Sequence, residues 1–366
     1  MLKFHSLRVA QVHSHAEDAV ALALEVPAEL AAEYHGTAGQ HIVLRTSLAG
    51  EEVRRTYSPV SAPGEPLLRI VARVHAEGRL STHLARHVRP GDRLDVLPPN
   101  GSFTLHPATA GRGTCVAFAA GCGITPVVSI VRGWLEAGPG RVILFYGNRN
   151  MARAMCLEEL LALKDRHLER LSLHFVMSRE PQEAEVYNGR LDGAHVRQLA
   201  TSFFAPKEAA EYFLCGPGDM IDTVSHALRE LGVPPDRIRA EHFTVTTATQ
   251  HEPVTQAHGG APPPDPALQR DAGIAEVTII MDGRRRSFTM PMNGESVLDG
   301  AARAGLELPF SCRAGVCSTC RTKVVRGEVA MDQNYALEDW EVEQGYVLAC
   351  QSKVKTPVLE LDYDER

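Results

Sequence analysis

Eight cysteines occur in the 366 residues of the chain, and four of them have a spacing that carries chemistry. Cys312, Cys317 and Cys320 form C-x4-C-x2-C, and Cys350 follows after 29 intervening residues. This is the ligand spacing of a plant-type 2Fe-2S cluster, in which one short loop supplies three thiolates and a distant segment the fourth. Gly315 lets the loop turn sharply, so that backbone amides face the sulfurs and stabilise their negative charge. Structural zinc is the alternative, but such sites usually pair two C-x2-C knuckles, and the chain has one.

Two glycine turns point to a second chemistry. Gly121-Cys122-Gly123-Ile124-Thr125-Pro126 follows the strand-like CVAFAA, with Thr125 suited to cap a helix and Pro126 to its first position. Free N–H groups and a helix dipole at such a turn suit a pyrophosphate, although a purely structural strand-to-helix turn looks much the same. Cys215-Gly216-Pro217-Gly218 follows YFLC in the same manner, placing a small polarisable side chain at the carboxyl edge of a sheet. Two such turns favour a nucleotide. The run LHFVM ends in Ser178 and Arg179, where a hydroxyl and a guanidinium suit a ribose 2′-phosphate, and Arg149 in YGNR is placed to share it. A surface serine and arginine are the plain alternative.

A third group lies nearer the amino terminus. In Arg54-Arg55-Thr56-Tyr57-Ser58, strand alternation puts Arg55 and Tyr57 on one face, a cation for a phosphate and an aromatic plane for a flavin ring. An exposed strand explains the same pattern. Gly78-Arg79-Leu80-Ser81-Thr82 reads as a turn before a helix over THLARHV, a further phosphate cradle.

The elements that must position these residues divide the chain into parts. Residues 1–106 carry short alternating runs such as HIVLRTSL and LLRIVARV between Gly and Pro turns, the pattern of an antiparallel β-barrel. Over 112–243 strands alternate with amphipathic stretches, which predicts an α/β doubly wound parallel sheet. Residues 246–273 contain Gly259-Gly260 and Pro262-Pro263-Pro264 without hydrophobic periodicity, and read as a linker. Over 274–366 a hairpin at VTIIMDGRRRSFTMP and a helix near Ser296–Ala304 precede the cysteine loop, giving a small α+β domain.

Composition sets the limits. With 44% hydrophobic and 23% charged residues and a formal charge of -7, the chain reads as an ordinary globular protein and no basic nucleic-acid binder. The whole net charge falls within residues 327–366, an acidic region suited to a basic partner surface or to solvent alone. Gly113–Val131 is uncharged over 19 residues, but its internal glycines and Pro126 argue for a strand and a helix start instead of a membrane span. The amino-terminal stretch has no apolar signal-peptide core, so a cytoplasmic protein with reduced cysteines is expected.

RRTYS, GRLST, AAGCGITP and CGPGDM, in that order, resemble the ferredoxin-NADP reductase family. The carboxyl-terminal part resembles a plant-type, β-grasp-like ferredoxin, an order similar to reductase components of bacterial oxygenases. The resemblance implies FAD, NADPH and a 2Fe-2S cluster as cofactors and oxygenase component proteins as partners, without nucleic acid or membrane. It implies that Arg55 contacts the FAD phosphates, Tyr57 stacks on the isoalloxazine, Ser58 approaches its reactive nitrogen, and Gly78, Leu80, Ser81 and Thr82 hold its pyrophosphate. Gly121, Gly123, Thr125 and Gly216 would bind the dinucleotide, Cys215 would lie near the nicotinamide, and Glu241 and Phe243 would close the flavin site. Ser178, Arg179 and Arg149 would meet the 2′-phosphate. Two positions depart from the family pattern: Cys122 replaces a serine or threonine, and Ala38 replaces proline in P-G-Q.

The expected activity is an NADPH-dependent flavin iron-sulfur oxidoreductase passing electrons to a multicomponent oxygenase. Reductases of ring-hydroxylating dioxygenases or of hybrid-cluster protein share these motifs, and a redox sensor without turnover is the alternative of another class. The chain is not expected to be the oxygenase itself, because no E-x-x-H pair of a di-iron bundle occurs in it.

Overall fold

The computed structural model describes residues 3–243 and 273–365. They fall into two compact units, one spanning Phe4–Phe243 and one lying after residue 243. The expected linker at 246–273 lies outside the described residues except for Gly273.

The first unit opens with six strands and two short helices: β1 (His5–His15), β2 (Ala19–Glu25), α1 (Ala31–Tyr34), β3 (His41–Leu48), β4 (Glu51–Tyr57), β5 (Leu67–Arg73), α2 (Arg79–Arg86) and β6 (Arg93–Asn100). The sheet runs β4-β3-β6-β1-β2-β5, with every pair antiparallel. A bridge between Pro59 and Ile70, with the Val60 N–H donating to the Arg69 carbonyl at 2.8 Å, brings the outer strands together as the expected barrel requires. Alternation explains which side chains fill it. Val20, Leu22 and Leu24 of β2 point into the barrel with Leu7, Ile42, Leu44 and Ile70. Ala19 and Ala21, the alternate residues, pack outward against the next sheet, where a methyl group allows close approach.

That sheet comprises β7 (Thr114–Ala120), β8 (Arg141–Asn148), β9 (Leu171–Met177), β10 (Glu211–Gly216) and β11 (Ile238–His242). Between them run α3 (Ile124–Ala137), α4 (Leu157–Arg166), α5 (Gly193–Ala200) and α6 (Gly218–Glu230). All pairs are parallel, in the order β11-β10-β7-β8-β9. The order reverses between β7 and β10, and a crevice for a ligand opens at the carboxyl ends of strands at such a reversal.

Barrel and sheet are joined by polar as well as apolar contacts. Asp18, in the β1–β2 turn, forms ion pairs with Arg73 of β5 and with Arg153, which precedes α4. The Glu17 N–H donates to the Ala152 carbonyl at 2.9 Å, and Phe103 meets Phe213 edge-on at 5.4 Å between centroids. Gly39 sits at φ 95°, and a Cβ there would lie 2.1 Å from the Phe103 carbonyl oxygen, so only glycine fits.

The second unit holds β12 (Ile274–Met281), β13 (Arg284–Pro291), α7 (Val297–Arg303), β14 (Arg321–Arg326), β15 (Val329–Met331), α8 (Asp339–Glu343), β16 (Tyr346–Leu348), β17 (Ser352–Val354) and β18 (Val358–Asp362). Its main sheet, β13-β12-β18-β14-β16, is antiparallel except for β12 beside β18. The Ser296 hydroxyl accepts the Asp299 N–H at 3.2 Å to cap α7, whose Val297, Leu298 and Ala301 pack into the core with Val277 and Phe288.

Two sequence expectations about helix starts are corrected. A short 3-10 turn over Gly121–Gly123 carries the helical rise forward, so α3 begins at Ile124 and Gly123 takes the cap position. Thr125 lies inside the first turn, where its hydroxyl donates to the Cys122 carbonyl at 3.1 Å, and Pro126 follows it at the third position. Likewise α2 begins at Arg79 with Gly78 as its cap, so Leu80, Ser81 and Thr82 form its first turn and not a loop before it. Gly113–Val131 divides into β7 and α3 as expected, and no helix among the described residues is long and apolar enough to cross a membrane.

Asp18 and its two arginines are at most 24% exposed, and removing one partner of such a group strands the others' charge. Asp18→Ala is therefore expected to lower the unfolding free energy by about 3 kcal/mol. The measurement is the urea midpoint at unchanged slope; a midpoint equal to the parent's would refute the role given to this ion-pair group.

Candidate functional site

The cysteine loop links α7 to β14. Arg313, Gly315 and Ser318 adopt positive φ of 55°, 73° and 47°, which folds the loop into successive reversals. A Cβ on Gly315 would lie 3.0 Å from the Gln333 carbonyl oxygen, so both space and backbone favour glycine. The reversals direct amides at sulfur: the Ala314 N–H donates to Cys312 Sγ at 3.3 Å and the Cys312 N–H to Cys317 Sγ at 3.5 Å. Cys350 comes from the segment between β16 and β17. Gln351 Nε2 donates to Cys350 Sγ at 3.6 Å and to the Arg313 carbonyl at 2.9 Å, tying the fourth cysteine to the loop of the other three.

The thiols interact in pairs. A hydrogen bond with the Cys317 thiol is the main influence holding the Cys312 thiol down at about 6; burial opposes it, and the Ala314, Val316 and Cys317 amides assist. Cys350 is lowered in the same way, first by Cys320. Their partners Cys317 and Cys320 are pushed up by those bonds and by burial. Four convergent sulfurs, two of them buried and several met by N–H donors, are the donor set that an iron-sulfur cluster requires.

In the first unit, Tyr57 ends β4 with its phenol pushed up by burial, an effect that the Arg55 charge partly offsets. Arg55 is exposed, and its Nη1 donates to the Arg54 carbonyl at 2.7 Å. Ser58 is 2% exposed, and its hydroxyl has no hydrogen-bond partner among the described residues. Gly78 heads α2, and a Cβ there would sit 2.4 Å from Ser81 Oγ; the Thr82 hydroxyl donates to the His75 carbonyl at 3.2 Å. An orphaned buried hydroxyl beside an aromatic and a cation fits a flavin nucleotide.

The carboxyl ends of β7 and β10, where the strand order reverses, gather the glycine turns. Gly121 has φ 56°, and a Cβ there would meet nothing within 4 Å, which leaves an open cradle. Gly123 is packed so closely that its Cβ would lie 2.1 Å from the Cys215 carbonyl oxygen. Cys215 pairs in register with Ala119 on one side and Glu241 on the other, and Gly216 approaches Ala120. The Cys215 thiol is raised by burial first and then by Glu241. Glu241 is 9% exposed; Oε1 lies 3.6 Å from His41 Nδ1, and Oε2 has no hydrogen-bond partner among the described residues. Phe243 packs against the same core.

The loops after β8 and β9 run side by side. The Ser178 N–H donates to the Asn148 carbonyl at 2.9 Å and the Arg179 N–H to the Arg149 carbonyl at 2.8 Å, so the two arginines are neighbours along these loops. Both are exposed, and Glu180, the nearest acid in sequence to Arg179, accepts the Met151 N–H at 2.7 Å. The structure thus gathers Cys215, Gly216, Gly121, Gly123 and Glu241 at one edge and Ser178, Arg179 and Arg149 at another. His41 and Asn148, both buried, were not singled out by sequence. For His41 the available signal was its place directly after Gly39-Gln40.

Fold and site together define a flavin- and pyridine-nucleotide-dependent iron-sulfur oxidoreductase. Three family models match: an oxidoreductase FAD-binding domain over residues 6–105, an oxidoreductase NAD-binding domain over 118–226, and a 2Fe-2S iron-sulfur cluster binding domain over 279–355. A subunit of the 1,2-phenylacetyl-CoA epoxidase from Escherichia coli K12 is 37% identical over 370 residues, covering 100% of this chain and 99% of the relative. The ferredoxin reductase component of 3-ketosteroid-9-alpha-monooxygenase from Rhodococcus rhodochrous is 31% identical, covering 98% of this chain and 96% of the relative. Phthalate dioxygenase reductase matches in structure over 98% of both chains, with TM-score 0.58 and 23% identity, a likeness of fold. The chain belongs to the ferredoxin-NADP reductase family, among the members that add a 2Fe-2S domain to the flavin and nucleotide domains.

Cys350→Ser is expected to abolish the cluster's visible absorption and acid-labile sulfide while FAD remains bound, because the cysteines and the barrel lie in separate compact units. Zinc in the parent protein without acid-labile sulfide would overturn the cluster assignment.

Proposed function

We propose that this reductase takes electrons from NADPH and delivers them singly to the oxygenase of a phenylacetyl-CoA epoxidase. The observation that carries the choice of acceptor is the 37% identity to the Escherichia coli epoxidase polypeptide along essentially the whole of both chains. Bound FAD supplies conversion between a two-electron hydride and single electrons, which neither a nicotinamide nor a 2Fe-2S cluster performs. In this reading Arg55 holds the FAD phosphates, the first turn of α2 from Gly78 to Thr82 holds the pyrophosphate, and Tyr57 and Ser58 face the isoalloxazine. Gly121, Gly123, Thr125 and Gly216 seat the dinucleotide, with Cys215, Glu241 and Phe243 around the nicotinamide and flavin rings. Glu241, buried against His41, keeps water from this meeting point. Cys312, Cys317, Cys320 and Cys350 hold the cluster. The corresponding divisions are 1–106, 112–243 and 274–366, with 246–273 as a tether, and the protein works in the cytoplasm.

The acceptor is tested by adding the purified epoxidase oxygenase, phenylacetyl-CoA and NADPH. Product should form only with the reductase present, and its absence, with the oxygenase active under another reductase, would refute this partner. NADPH-dependent reduction of cytochrome c at many turnovers would refute the sensor.

NADPH preference rests on Arg179 with Arg149 beside it. A guanidinium can give a 2′-phosphate two charge-assisted hydrogen bonds, worth about 1.5–3 kcal/mol. Arg179→Ala should therefore raise the KM for NADPH roughly ten- to a hundredfold and leave that for NADH nearly unchanged. Arg149→Ala should add to the loss in the double variant. Equal kcat/KM for the two nucleotides in the parent protein would sink the assignment.

A further inference from the structure

The Gly121 turn is held from behind by a tyrosine side chain. Tyr146 of β8 is 1% exposed and pairs in register with Ala119 of β7. Its phenol donates to the Gly121 carbonyl at 3.1 Å and accepts the Met155 N–H at 3.0 Å. Met155 belongs to a segment that the barrel grips at three places. The Cys156 N–H donates to His15 Nε2 at 2.8 Å, the Glu17 N–H to the Ala152 carbonyl at 2.9 Å, and Arg153 pairs with Asp18.

The chain of contacts continues to the flavin side. The Asp18 carbonyl accepts the Val74 N–H at 2.8 Å, and the carbonyl of the next residue, His75, accepts the Gly78 N–H at 2.9 Å. Polar contacts thus lead from the head of α2, through Asp18, Arg153 and Tyr146, to Gly121. The bond from Cys156 engages the His15 Nε2 lone pair, which makes His15 a corner of this network.

We propose that Tyr146 is the positioning residue of the dinucleotide turn: its phenol fixes the Gly121 carbonyl and so aims the turn's free N–H groups at the bound pyridine nucleotide. This rests on reading Gly121–Gly123 as the dinucleotide turn. The Gly121 carbonyl also accepts the Ile124 N–H of the 3-10 turn, and Tyr146 adds the one side-chain bond that ties this carbonyl to the sheet; a turn ordered before binding loses less freedom on binding.

The test is Tyr146→Phe, which keeps the ring in the core and removes the hydroxyl. With ferricyanide as acceptor, the KM for NADPH and for NADH should both rise about three- to tenfold, with kcat within about twofold and FAD content unchanged. Equal shifts distinguish Tyr146 from Arg179, whose loss should affect NADPH alone. An unchanged KM for both nucleotides, whatever the unfolding midpoint, overturns the proposal. Gly121→Ala separates the two readings, because its methyl group would enter the open cradle. If it raises both KM values while Tyr146→Phe does not, the turn binds nucleotide without help from Tyr146; if neither variant changes KM, the dinucleotide reading of the turn fails as well.

Discussion

Hydride transfer requires two ring systems to meet at roughly 3–3.5 Å, and that tolerance makes the seam between barrel and parallel sheet the constraint on which the first unit depends. A loose junction would spend its time at separations where nothing reacts. The seam is accordingly built from small residues and buried charge. Ala19 and Ala21 let β2 serve two cores at once, Gly39 lets the barrel approach Ile130 of α3, and Asp18 draws an arginine from each side. These features explain why the barrel and the nucleotide sheet form one compact unit although their strand patterns differ completely.

The second unit answers a different demand. A cluster changes charge by one electron and needs its ligands fixed so that little else reorganises. Here the fixing comes from backbone reversals at Arg313, Gly315 and Ser318 and from amides directed at sulfur, with Gln351 joining the distant cysteine to the loop. Chemistry that is local in sequence is thereby made rigid by hydrogen bonds that are also mostly local.

That locality decides what was legible in the sequence. The cysteine spacing, the glycine turns and the alternation of β4 are written over a few residues each, so candidate ligands, turns and sheet types could be read directly. The starts of α2 and α3 were misplaced by a few residues because a glycine before a helix reads equally well as loop, cap or 3-10 turn. His41 and Tyr146 escaped notice because their roles exist only through partners far away in sequence: Glu241 is 200 residues from His41, and nothing near a buried tyrosine in a strand announces that its hydroxyl holds a carbonyl 25 residues earlier. Asp18 is the same case, a turn acid whose partners come from β5 and from the loop before α4.

The placement of Cys350 has a consequence for biosynthesis. Three of the four cysteines proposed as ligands leave the ribosome within nine residues of one another, but the fourth follows thirty residues after Cys320, beyond β14, β15, α8 and β16. Until that stretch has been translated and folded, the loop offers an incomplete ligand set. Closing the set pins a segment about thirty residues long and removes its freedom from the unfolded chain, so delivery of iron and sulfide also acts as the last fastening of this domain. Cells short of either supply would accumulate a reductase whose flavin half is finished and whose electron outlet is not.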